Sequence, residues 1–99
     1  MVLYMIISQL SISTLGEETS VSRYVKIVLN VLKKENIKFK TNAMATVLET
    51  EDLDTLFNTV KKAHNAVIKA GGKRIITELK IDDRRDKNAT AESKLNSIK

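Results

Sequence analysis

From Gln9 to Ser13 the chain alternates, with Leu10 and Ile12 apolar and Gln9, Ser11 and Ser13 polar. A period of two marks a half-buried strand. Leu3 to Ile7 is apolar on both faces, so the spacing predicts a strand over 3–13 whose first half is covered on both sides. Thr14 to Thr19 reads as a loop around Gly16, and Thr19 or Ser20 as the cap of a helix from Val21 to about Glu35. On that helix Val21, Tyr24, Val25, Ile27, Val28, Leu29, Val31 and Leu32 fill an arc of roughly 200°, about twice the stripe a single sheet covers. Tyr24, Ile27 and Val31 lie at one edge of the arc. They are expected to need a further partner, either the C-terminal helix or a second subunit.

Ile37 to Asn42 alternates again, with Ile37, Phe39 and Thr41 on one face and Lys38 and Lys40 on the other. Met44 to Thr50 follows closely enough to imply a hairpin. Glu51 or Asp52 starts a second helix with acids in its first turn, and Gly71-Gly72 ends it. Its apolar face is Leu53, Leu56, Phe57, Val60, Ala63, Val67 and Ile68. Lys73 to Ile81 is the fourth strand, and residues 90–98 form a short helix with Leu95 and Ile98 inward. The order strand, helix, strand, strand, helix, strand predicts an α+β, ferredoxin-like split βαβ domain spanning 1–99. Its four-stranded antiparallel sheet carries both helices on one face. The other face is expected to be bare. Residues 82–99 read as a charged C-terminal segment with the short helix.

Composition narrows the possible functions. Ninety-nine residues suffice for one domain with a modest core, and 42% hydrophobic with 29% charged residues is a globular balance. With no cysteine there is neither a disulfide nor a thiolate metal site, which fits a cytoplasmic location. The apolar N-terminus is short and no basic segment precedes it, which argues against a signal peptide. No run reaches the length of a membrane span. Net charge is +5, yet the lysines and arginines are spread along the chain and only two Tyr and two Phe could stack on bases. Neither nucleic acid nor membrane is an expected partner. The run Asp82-Asp83-Arg84-Arg85-Asp86-Lys87 mixes signs, which favours ion pairs that fix the chain end over a metal site or an acid/base pair.

Catalytic patterns are missing. There is one histidine, no nucleophile elbow and no P-loop, so neither an enzyme nor a cofactor is expected. The ligand-binding candidates are Ser11, Ser13, Thr46, Glu49, His64 and Thr77. His64 falls near the centre of the second helix's apolar face, either as a hydrogen-bonded core residue or as a polar group at the edge of a pocket. Thr46 and Thr77 share strand faces with apolar residues and can satisfy themselves locally or meet a ligand. Ser11 and Ser13 are solvated strand residues or donors to a ligand. Glu49 is an exposed acid or the partner of an aminopyrimidine or cationic ring.

Several fragments resemble one family. They are Ser11-Ile12-Ser13-Thr14-Leu15-Gly16, Ser20-Val21-Ser22-Arg23-Tyr24-Val25, Met44-Ala45-Thr46, Lys61-Lys62-Ala63-His64, and Arg84-Arg85-Asp86-Lys87 with Thr90 and Lys94. In order and spacing the chain resembles the small thiamine-binding protein family with the YkoF-like ferredoxin fold. It departs at Thr14, where a proline is usual, and at Ala43 and Ala45, in a segment that usually reads Pro-Met-Gly. The family pattern begins near Met5, so the resemblance implies that residues 1–4 are an N-terminal extension or an alternative start. The resemblance implies a homodimer or homotetramer that binds thiamine or its hydroxymethylpyrimidine portion without catalysis. The alternative is a ferredoxin-like regulatory or interaction module that senses another small molecule. The wide apolar arc and the doubly apolar first strand lead to self-association independently of the family.

Overall fold

A computed structural model describes residues 4–16 and 22–98. The extension's first three residues, Leu3 as a strand start and the helix start at Thr19 to Val21 lie outside the described residues. The elements are β1 (Ile6–Thr14), α1 (Ser22–Lys34), β2 (Lys38–Thr41), β3 (Thr46–Thr50), α2 (Leu53–Lys69), β4 (Ile75–Asp82) and α3 (Ala91–Asn96). The strands form one sheet in the order β2-β3-β1-β4, and every neighbouring pair is antiparallel. This is the ferredoxin-like arrangement that the order of elements predicts.

Local chemistry sets the helix ends. Asp52 caps α2, its carboxylate accepting the Thr55 N–H at 2.6 Å, and this bond holds the Asp52 pKa below its ordinary value. Both long helices stop in the same way. Gly72 N–H reaches back to the Val67 carbonyl while Gly71 sits at φ 108°, and Ile37 N–H reaches back to Leu32 with Asn36 at φ 56°. The left-handed residue is the usual glycine in α2 and an asparagine in α1. At Gly72 an added Cβ would lie 3.0 Å from Val67 Cγ1 and 3.1 Å from the Val67 carbonyl oxygen, so the turn into β4 is tight.

Register assigns the faces. Ile6, Ser8 and Leu10 pair with Thr50, Leu48 and Thr46 of β3, and Ser8, Leu10 and Ile12 pair with Ile81, Leu79 and Thr77 of β4. This set faces the helices, and its members Ile6, Leu10, Ile12 and Leu48 join Tyr24, Val28, Leu32, Leu56, Ala63 and Val67 in the core. Tyr24 is buried within the single chain. The expectation that it needs the C-terminal helix or a second subunit is therefore corrected. The two long helices pack side by side, so α2 covers the part of the α1 arc that the sheet does not. Arg23 reinforces the contact, donating to the Ala70 carbonyl at 2.8 Å and lying 5.3 Å from the Tyr24 ring centroid.

The outer face is bare over most of its area, with Gln9, Lys40, Ile76, Glu78 and Lys80 exposed as expected, but not at the end around Glu49. The C-terminal segment is fastened at that end. Ala91 N–H donates to Glu49 at 2.6 Å, Met5 N–H donates to Asn88 at 3.2 Å, and Lys94 pairs with Asp82. Ile7, paired with Glu49 and Asp82 on this face, is buried. Leu95 and Ile98 are exposed and not inward. α3 has only six residues, and its docking runs through the Ala91 N–H and Lys94 and not through an apolar stripe.

Candidate functional site

β1 outlasts its partner. Pairing with β3 ends at Leu10↔Thr46, whereas pairing with β4 continues to Thr14↔Ile75. Beyond Leu10 the β3 side of β1 therefore meets no strand among the described residues. The β2–β3 turn and α1 surround this notch and enclose a partly open cavity of about 280 Å³, near the small end of ligand pockets. Val25, Val28 and Leu29 of α1 form the apolar wall, Ser11 to Ser13 the strand edge, and Thr41 to Thr46 the turn side.

The turn is held by its own polar groups. Asn42 Oδ1 accepts the Met44 and Ala45 N–H groups at 2.8 and 2.9 Å, and Asn42 N–H donates to the Ala45 carbonyl at 2.9 Å. Thr46 hydroxyl donates to Thr41 Oγ1 at 3.1 Å. Met44 is 86% exposed at the rim.

The six sequence candidates separate into three groups. Ser11, Ser13 and Thr46 line the cavity. His64 Nδ1 and Thr77 Oγ1 are hydrogen-bonded to each other at 2.6 Å between α2 and β4, and neither lines the cavity. Glu49 lies on the outer face, buried, between Lys38 Nζ at 3.2 Å and the Ala91 N–H. The expectation of one site between sheet and helices is corrected for Ser11, Ser13 and Glu49. They alternate with the helix-facing residues, which puts their side chains on the opposite side of the sheet, although β1's edge brings Ser11 and Ser13 to the cavity. Sequence reading missed Val25, Val28, Leu29 and Asn42. The only signal for Asn42 was a turn-forming residue between two strand patterns. Among the described residues no group of acidic or histidine side chains could hold a metal ion, and no helix is long and apolar enough to cross a membrane.

The sequence model of a family described as thiamine-binding protein matches residues 8–99. A UPF0045 protein of Methanothermobacter thermautotrophicus is 46% identical over 96 residues, covering 96% of this chain and 97% of that protein. A UPF0045 protein of Bacillus subtilis is 39% identical, covering 95% and 94%. Among solved structures, a hypothetical protein of Methanocaldococcus jannaschii superposes with TM-score 0.87 at 44% identity, covering 97% of each chain. A Thermotoga maritima protein, provisionally assigned to thiamine biosynthesis or salvage, superposes with TM-score 0.80 at 16% identity, covering 96% and 99%, and shares the fold. The family match spans nearly the whole described chain, and the resemblance carried by the Ser11–Gly16 and Arg84–Lys94 fragments agrees with it: this protein belongs to the thiamine-binding protein family.

Proposed function

We propose that this chain is a non-catalytic binding protein for thiamine or a related hydroxymethylpyrimidine. The family match over residues 8–99 carries this reading. The cavity supports it, offering an apolar wall for a flat ring and hydroxyl and peptide groups along one side. Ser11, Ser13 and Thr46 are the proposed contacts. A thermal-shift series over thiamine, its phosphates and pyrimidine precursors tests the reading. A ligand at 100 times its Kd contributes about 2.7 kcal/mol, a rise on the order of 10 °C for a domain of this size. A flat response across the series would overturn it.

We infer a structural role for His64, which is bonded to Thr77 and is not among the residues that line the cavity. The pair is half-buried, so His64→Ala should cost about 1 kcal/mol, the low end for a lost polar partner. It should leave ligand affinity of the folded protein unchanged. A loss of affinity without a loss of stability would move His64 into the site.

Self-association in the cytoplasm belongs to the same proposal. β4 is an eight-residue strand at the sheet edge, and Ile76, Ile81, Phe57 and Ile68 are exposed around it and on α2. Such an edge favours pairing with another copy. Light scattering should give a dimer or larger, and a monomer at micromolar concentration would contradict this. Binding to oligonucleotides should be no tighter than the non-specific level of about 10⁻⁴ to 10⁻⁶ M.

A further inference from the structure

The cavity carries information about which chemical form of ligand it admits. Its first feature is the interrupted register. From Ser11 to Thr14, β1 is paired with β4 on one side only, and Ser11, Ile12 and Ser13 line the cavity on the other. Peptide groups on that side present an N–H donor and a C=O acceptor along a straight edge. An aminopyrimidine offers the complement, a ring nitrogen that accepts beside an exocyclic amine that donates.

The second feature is Asn42. Its Oδ1 is occupied by two backbone N–H groups, which fixes the amide orientation and leaves Nδ2 as a donor in a cavity-lining residue. The third is charge. None of the described lining residues is lysine, arginine or histidine. Arg23, on the same helix as the apolar wall, is turned to the Ala70 carbonyl. A phosphate ester carries close to two negative charges at neutral pH. Placing it against Val25, Val28 and Leu29 removes hydration without supplying a cation.

We propose that the cavity selects the unphosphorylated heterocycle, read by the open edge of β1 and the Asn42 amide, and discriminates against its phosphate esters. This rests on the binding function proposed above. It places the protein before any phosphorylation of the ligand's hydroxyl group, as a holder of the free alcohol.

Calorimetric titration of the full chain with hydroxymethylpyrimidine, its monophosphate, thiamine and thiamine diphosphate tests the inference. Each alcohol should bind at least about tenfold more tightly than its ester, a difference of about 1.4 kcal/mol. Esters that bind equally or more tightly overturn the selectivity and leave the binding function standing. Silence from all four compounds overturns both. Asn42→Asp keeps the acceptor that holds the turn and removes the Nδ2 donor. It should weaken the alcohols by about tenfold at a melting temperature near that of the unmutated protein. Unchanged affinity would remove the amide from the proposal. Met44→Arg, at an exposed rim position, tests the role of charge without depending on the turn. It should narrow the gap between alcohol and ester, and an unchanged gap would overturn the assignment of that gap to the missing cation.

Discussion

Val25→Trp is expected to abolish ligand binding, weakening it more than a hundredfold, while the far-ultraviolet spectrum stays that of the unmutated protein. Val25 is 37% exposed on α1 and forms part of the cavity wall. An indole there takes up space that a flat ring would occupy, in a cavity of only about 280 Å³. Because the position is half open, little core volume is disturbed. The cost to stability should remain within about 1 kcal/mol, well below the cost of overpacking a closed core. The control is Leu56→Ala. Leu56 is fully buried and does not line the cavity, so its truncation should cost about 2–5 kcal/mol and leave the affinity of the folded fraction unchanged. If Val25→Trp binds thiamine or the pyrimidine as before, the ligand lies elsewhere and the cavity assignment fails.

The sequence disclosed what depends on local periodicity. The two-residue alternation around Leu10 and Ile12, the Asp52 cap and the Gly71-Gly72 stop all correspond to elements of the fold. What it left hidden depends on pairing at a distance. Nothing local in Ser11 to Ser13 says that β3 will end opposite Leu10, yet this mismatch creates the cavity. The alternation of β3 places Glu49 and Thr46 on opposite faces, but chemical type alone grouped them in one site. The width of the α1 apolar arc was visible, and its cause was not. A neighbouring helix and a neighbouring subunit ask for the same residues, and only the packing of α1 on α2 distinguishes them. The same ambiguity applied to Ile7, which is buried within the single chain beside Glu49, where the C-terminal segment is fastened.

Glu49 should prove to be the residue that fastens that segment. Its carboxylate is buried on the outer face, accepts the Ala91 N–H at 2.6 Å and meets Lys38 at 3.2 Å. Lys38 is 73% exposed, so its ion pair contributes little. The half-buried bond to the Ala91 backbone carries more. Glu49→Gln keeps an acceptor oxygen and should change stability by less than about 1 kcal/mol. Glu49→Ala removes the acceptor and should cost about 1–3 kcal/mol. Hydrogen exchange in Glu49→Ala should rise across residues 83–96 while β1 and β3 remain protected. The remaining fastenings respond to pH in a defined direction. The hydrogen bond and charge of Lys94 hold the Asp82 pKa below its ordinary 3.8, and Arg84 does the same for Asp86. A carboxylate with a lowered folded pKa supplies its full contribution above the ordinary value and loses it as pH falls through the lowered one. Protection of the segment, taken relative to the intrinsic exchange rate at each pH, should therefore be flat from neutral pH down to about 4 and fall only below it. Equal costs for Glu49→Gln and Glu49→Ala would show that charge, and not the backbone acceptor, is what fastens the segment.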